Sequence, residues 1–184
     1  HYNTWPPVNS RPETYYFGPN GKIAVARLTS DAGSTSYESD PANPVPYTSV
    51  TSGHRNNEYM AEDQRFASKR PDVLSFQTDS LTEDVTLTGE IVANLMVSMT
   101  GSDADFIVKV IDVWPAGSSV PAAKEGEKPI DMSGYQQMVR AEVLRGKFRN
   151  SFSQPEPFKK DKIEKVTVKL NEVAHTFKKG HRVM

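Results

Sequence analysis

From Val73 onward, apolar and polar residues alternate with a period of two, the pattern of strands that cover one face and wet the other. Val73–Gln77, Val85–Thr88 and Ile91–Met99 each carry it. In the last of these, Ile91, Ala93, Leu95, Val97 and Met99 share one face, and Asn94, Ser98 and Thr100 the other. A Gly101-Ser102-Asp103 turn leads into Asp105–Trp114, which is nearly continuous in apolar residues. A loop rich in Pro, Gly, Ala and Lys over 115–129 precedes a further strand, Gln136–Phe148. Ile163–Leu170 follows, with Val166, Val168 and Leu170 on one side and Lys165, Thr167 and Lys169 on the other. The final Arg182-Val183-Met184 reads as the start of one more apolar strand, entered through a turn at Thr176–Gly180 with a solvated lysine tip.

The N-terminal third is less regular. Thr14–Phe17 is an aromatic strand bounded by Gly18-Pro19-Asn20-Gly21, and Asn-Gly favours a hairpin turn because both positions accept positive φ. Residues 29–58 form a long irregular loop centred on Asp40-Pro41-Ala42-Asn43-Pro44-Val45-Pro46, whose prolines forbid both helix and central strand. Glu58–Ser68 is expected to hold one short helix. Short strands, long loops and no alternating helices predict an all-β, antiparallel β-sandwich, with residues 1–184 forming a single domain.

Composition narrows the partners. The chain has 22 basic and 23 acidic residues and a net charge of −1, so neither nucleic acid nor an anionic membrane surface is expected as a partner. It contains no run of eighteen apolar residues and no cysteine, which excludes disulfides, thiolate metal sites and a cysteine nucleophile. Opening on His1, it reads as a processed or excised piece.

Candidate chemistry is sparse. The hydrolase elbow Gly-x-Ser-x-Gly has only the poor approximation Gly33-Ser34-Thr35-Ser36-Tyr37, with no helix or parallel sheet around it, so the chain carries no such nucleophile and no catalytic residue is assigned. Asp103 and Asp105 are weak calcium candidates, since two carboxylates in a turn are already favoured by turn chemistry. His175 and His181, without a third histidine nearby, make a weak zinc case, and no cofactor is expected. Asp112 ends the apolar row of Phe106, Val108 and Val110, where a carboxylate needs a cation or donors. Arg140, Arg145, Arg149 and Arg182 are the candidate partners; a structural ion pair is favoured over a catalytic acid, and Arg140, Arg145 and Arg149 also suit internal pairing or an interface. Trp5 and Trp114 are weak sugar-stacking candidates, the basis for an alternative reading as a free-standing carbohydrate-binding module.

Trp5-Pro6-Pro7 with the Tyr15–Lys22 hairpin, the Asp40–Pro46 loop, Arg70-Pro71-Asp72-Val73-Leu74, Leu87-Thr88-Gly89, Asp103–Phe106 running to Asp112-Val113, Leu144–Arg149 and Gly180-His181-Arg182 occur in an order and spacing that resemble a known family. The chain resembles, over nearly its whole length, the C-terminal domain of the X-Pro dipeptidyl-peptidase family of serine hydrolases. Cocaine esterase, α-amino-acid ester hydrolases and glutaryl-7-aminocephalosporanic acid acylases also belong to that family. The resemblance implies a jelly-roll, galactose-binding-like β-sandwich packed against an α/β-hydrolase domain of the same parent chain and a helical cap. It implies that the catalytic triad lies in that preceding domain, with no matching position here, and that His175 and His181 are not the family's catalytic histidine. It further implies that the domain begins before His1 and continues past Met184, so the piece is expected to be short at both ends and, through unpaired strand edges, to dimerise or exchange strands. His181 and Arg182 then begin a strand cut off partway. The expected role is to brace the hydrolase domain, bordering the substrate cleft or an oligomer interface. Related acylase-like enzymes lean towards the periplasm or secretion.

Overall fold

The computed structural model describes residues 3–26, 33–51, 53–54, 57–122, 124 and 126–184. Nine strands carry the fold: β1 Tyr16–Phe17, β2 Ile23–Ala24, β3 Val85–Val97, β4 Asp105–Val113, β5 Ser119–Val120, β6 Ile130–Asp131, β7 Gln136–Arg145, β8 Glu164–Phe177 and β9 Arg182–Val183. Among the described residues, helix is confined to α1, Arg65–Ser68, and short 3-10 turns. The architecture is all-β. β3 pairs with β8, and β4 lies between β7 and β9. Along β3 and β8, the contacts Thr86–Thr176, Glu90–Lys169 and Asn94–Thr167 descend one strand as they climb the other, so the pair is antiparallel. Asp105–Arg145 and Trp114–Gln137 show the same for β4 and β7.

Chain contacts divide the molecule into two compact units. The first comprises His1–Ser10, Leu87–Val110 and Val139–His175. Its core is Phe158, Val166, Val168 and Leu170, against which the inward residues Ile91, Ala93, Leu95, Val97 and Met99 pack from β3 and its end, Phe106, Val108 and Val110 from β4, and Leu144 from β7. These are the inward faces that period-two patterning assigns. Gly146, in the 3-10 turn after β7, is a close-approach position: a Cβ there would lie 2.5 Å from the Phe158 ring and 2.8 Å from that of Phe106. The Arg149 guanidinium lies 4.1 Å from the centre of the Phe158 ring and is paired with Glu164.

The second unit comprises Arg11–Thr86, Ile111–Met138 and Thr176–Met184. β1 and β2 form the expected hairpin, Tyr16 opposite Ala24, with Asn20 and Gly21 at φ of 58° and 69°. The described part of the 29–58 loop is irregular, as its prolines require. β5 and β6 pair within and just beyond the segment expected to be loop.

Four elements differ from expectation, each for a visible reason. Val85–Thr88 and Ile91–Met99 are one strand, because Gly89 at φ 96° carries the chain through without disturbing the alternation. β8 runs seven residues past Leu170. Two successive exposed residues, Asn171 and Glu172, shift its inward face from Val166, Val168 and Leu170 to Val173 and Phe177. His175 therefore lies within the strand, not after it.

Val73–Gln77 is not a ladder strand; Gln77 makes a single parallel bridge to Lys22. The chain beyond it is held by backbone bonds from Thr78 to Val183 and from Leu81 to His181. The helix expected over Glu58–Ser68 splits into a 3-10 turn, Glu58–Met60, and α1. The Ala61 carbonyl, which would accept the Arg65 amide in a continuous helix, instead accepts the Tyr135 hydroxyl, and the Arg65 amide donates to Asp63.

Candidate functional site

The buried polar centre of the second unit is built on the turn between β8 and β9. Gly180 adopts φ 87°, which a side chain would strain, and the His181 amide closes the turn on the Lys178 carbonyl at 3.0 Å. Asp84 fixes the same turn from outside, accepting the Lys179 amide at 2.8 Å and the Lys178 ammonium at 2.7 Å. Those bonds, the lysine contact first, hold the Asp84 carboxyl below the usual carboxylate range.

So held, the His181 ring turns inward. Its Nδ1–H donates to Asp112 Oδ1 at 2.7 Å, and its face meets the Trp114 indole at 4.9 Å between centroids. Asp112 is 2% exposed and His181 8%. Beside them β9 pairs Val183 with Asp112 on β4. Thr78 completes the joint: its hydroxyl accepts the Val183 amide, its amide donates to the Val183 carbonyl, and its carbonyl accepts the Arg182 guanidinium. A carboxylate orienting an imidazole is also the rear half of an acid–base relay. Here the ring packs on the Trp114 indole, and the dyad ties the turn before β9 to β4.

The four arginines expected to face Asp112 are engaged elsewhere. Arg145 forms a two-pronged pair with Asp105 at 2.8 and 3.0 Å. Arg149 is buried against Glu164 and Phe158, and it also donates to the carbonyls of Gly146 and Glu156. Arg140 donates to the Glu172 carbonyl at 2.7 Å. The partner of Asp112 is His181, and sequence spacing does not reveal that a turn brings residue 181 back beside residue 112.

Asp103 and Asp105, the calcium candidates, are both matched by cations. Asp103 accepts the Lys147 amide at 2.9 Å with the Lys147 ammonium 3.6 Å away. The Arg145 hydrogen bond holds Asp105 below the ordinary carboxylate range. Among the described residues, no three His, Asp or Glu side chains are grouped so as to hold a metal ion. Of the tryptophans, Trp5 donates its indole N–H to Glu172, and Trp114 donates to Gln137 at 3.1 Å while packing on His181. Among the described residues, no helix is long and apolar enough to cross a membrane.

One constellation was not foreseen. The Asp40–Pro46 loop is fastened by Arg70, which grips Asp72 through two bonds and donates to the Asn43 carbonyl at 2.7 Å. Further along, Ser49 donates through both its amide and its hydroxyl to Glu62. The Arg70-Pro71-Asp72 triplet was its only local signal.

The fold is that of an all-β domain whose buried polar centre ties strands together. The chain belongs to the family of X-Pro dipeptidyl-peptidase C-terminal non-catalytic domains, whose model matches residues 1–184. It is similar to cocaine esterase from Rhodococcus sp. (strain MB1 Bresler), with 29% identity over 98% of this chain and 30% of that protein. Among solved structures it resembles an aminopeptidase from a marine sediment Thaumarchaeota archaeon, with 36% identity, a TM-score of 0.85, and coverage of 99% of this chain and 30% of that one. It also resembles an α-amino acid ester hydrolase, with 34% identity, a TM-score of 0.79, and coverage of 92% and 27%. The chain thus spans about a third or less of the length of these relatives.

Proposed function

We propose that the chain is the accessory C-terminal β-sandwich of a larger serine hydrolase, of the acyl esterase, X-Pro dipeptidyl-peptidase or α-amino-acid ester hydrolase type. It braces the catalytic α/β-hydrolase domain and borders the substrate cleft or an oligomer contact. The observation that carries this reading is the end-to-end match to a non-catalytic domain, within relatives named as hydrolases that are about three times as long. The buried, hydrogen-bonded joints around His181 in one unit and Arg149 in the other support it, because each firms its own unit, as suits a domain that holds another in place.

The test compares the chain with its parent. The chain alone should leave p-nitrophenyl esters and aminoacyl substrates intact, the parent should cleave them, and deleting residues 1–184 should lower the parent's melting temperature and activity together. Hydrolysis by the chain itself, abolished by replacing one of its own serines, would sink the proposal.

A further inference from the structure

Apolar side chains exposed singly on strand faces are ordinary. Val92 and Met96 on β3 and Ile107 on β4 are of that kind, alternating with polar neighbours. The segment from Val45 to Met60 in the second unit is different. Val45, Tyr47, Val50 and Met60 are all exposed, Tyr47 and Val50 by 68% and 69%. Tyr47 meets Tyr59, the rings 5.0 Å apart, so two stretches of chain bring their apolar groups together. The patch is also pinned: Asn43 to Arg70, Ser49 to Glu62, and Ala61 to Tyr135. Ordering a loop costs about 1–2 kcal/mol per residue in backbone entropy. Such bonds hold the described stretches around them in a form that leaves Val45, Tyr47, Val50 and Met60 exposed.

We propose that this pinned apolar patch of Val45, Tyr47, Val50, Tyr59 and Met60 is the docking surface for the remainder of the parent polypeptide. The inference rests on the reading of the chain as part of a larger hydrolase. The occupant is argued from length and chemistry: about 70% of a parent the size of these relatives lies outside this chain, and tyrosine and methionine are the residues enriched where protein surfaces meet. Once covered, the patch loses the apolar exposure that a free surface would retain.

Two methionines of similar exposure make the test. Met60 lies in the patch and Met96 on β3, with exposures of 61% and 69%. In the intact parent, treated with dilute hydrogen peroxide and read by peptide mass spectrometry, Met60 should oxidise about fivefold or more slowly than Met96, because a docked interface core excludes solvent. Val50→Glu in the parent should bring the Met60 rate back towards that of Met96. Equal rates in the unmodified parent overturn the proposal. So does protection of Met60 that vanishes on dilution to monomer, which would assign the patch to a second copy. If the two methionines react alike while deletion of residues 1–184 still destabilises the parent, the accessory role stands and the docking surface is elsewhere.

Discussion

The two units are held together by different physics. In the first, β3, β4, β7 and β8 pack one apolar cluster, with Val166, Val168 and Leu170 almost wholly buried. In the second, buried polar groups stand beside buried apolar ones: Gln64, Thr78, Asp112 and His181 share it with Ala67, Ile111, Phe177 and Val183. An apolar core is non-directional and relaxes around small changes, whereas a buried hydrogen-bonded joint loses its whole benefit when one partner goes. Loss of an exposed polar contact in the first unit, such as Asp105–Arg145, should therefore cost less than loss of a buried one in the second.

The largest test of that contrast is His181→Ala. Leaving the Asp112 carboxylate buried without its imidazole partner should cost about 3–5 kcal/mol, read as a lowered urea midpoint. Replacing both residues by apolar ones of similar volume should recover much of the loss, since it leaves no buried polar group without its partner. If the single variant costs no more than an exposed polar deletion, the joint does not carry the second unit.

In the first unit the corresponding probe is steric. Gly146→Ala would place a methyl group within 3 Å of both the Phe158 and Phe106 rings, and should cost about 1–3 kcal/mol by overpacking. Phe158→Leu in the same chain should relieve part of that cost, whereas no such rescue is expected for His181→Ala from any apolar change at Trp114.

The smallest effect is electrostatic. Asp105→Asn removes a half-exposed pair with Arg145 and should cost under about 1 kcal/mol at neutral pH. Because pairing lowers the folded-state pKa of Asp105, its contribution is fully present above the unfolded value and lost as pH falls through the folded one. The gap between wild type and variant, followed by circular dichroism, should close in acid. Asp84 and Glu164 have lowered values too; at Glu164 burial is the largest single influence and raises the value, but the Arg149 bond, the Lys159 amide and the nearby charges together outweigh it, so stability of the whole chain should fall in the same direction below about pH 4.

Much of the first unit was legible in the sequence because its core is made of alternating residues, and alternation is a local property. Ile91–Met99, Phe106–Val110 and Val166–Leu170 turned their apolar sides inward as their spacing indicated. The misses occurred where something non-local intervened. The slip at Asn171–Glu172 hid the second half of β8, and the Tyr135 hydroxyl on Ala61, 74 residues away, divided a helix that propensity alone would have continued. The candidate site was legible only as a question. Asp112 at the end of an apolar row demands a partner, and Arg140, Arg145, Arg149 and Arg182 were the candidates; His181, which fills the place, was not among them.

By itself, then, the sequence determined the all-β class, the Asn20-Gly21 hairpin, the inward faces of the long strands, and membership of a family through motifs in fixed order. Tertiary structure decided the pairings between distant residues: His181 rather than an arginine on Asp112, Arg149 on Glu164 and Phe158, and Arg70 fastening a proline-rich loop whose apolar groups point outward. The reason is range. Alternation and turn preference act over a few bonds and are written in neighbouring letters, while the partner of a buried charge is whichever group the folded chain brings within about 3 Å, and that depends on every turn between them.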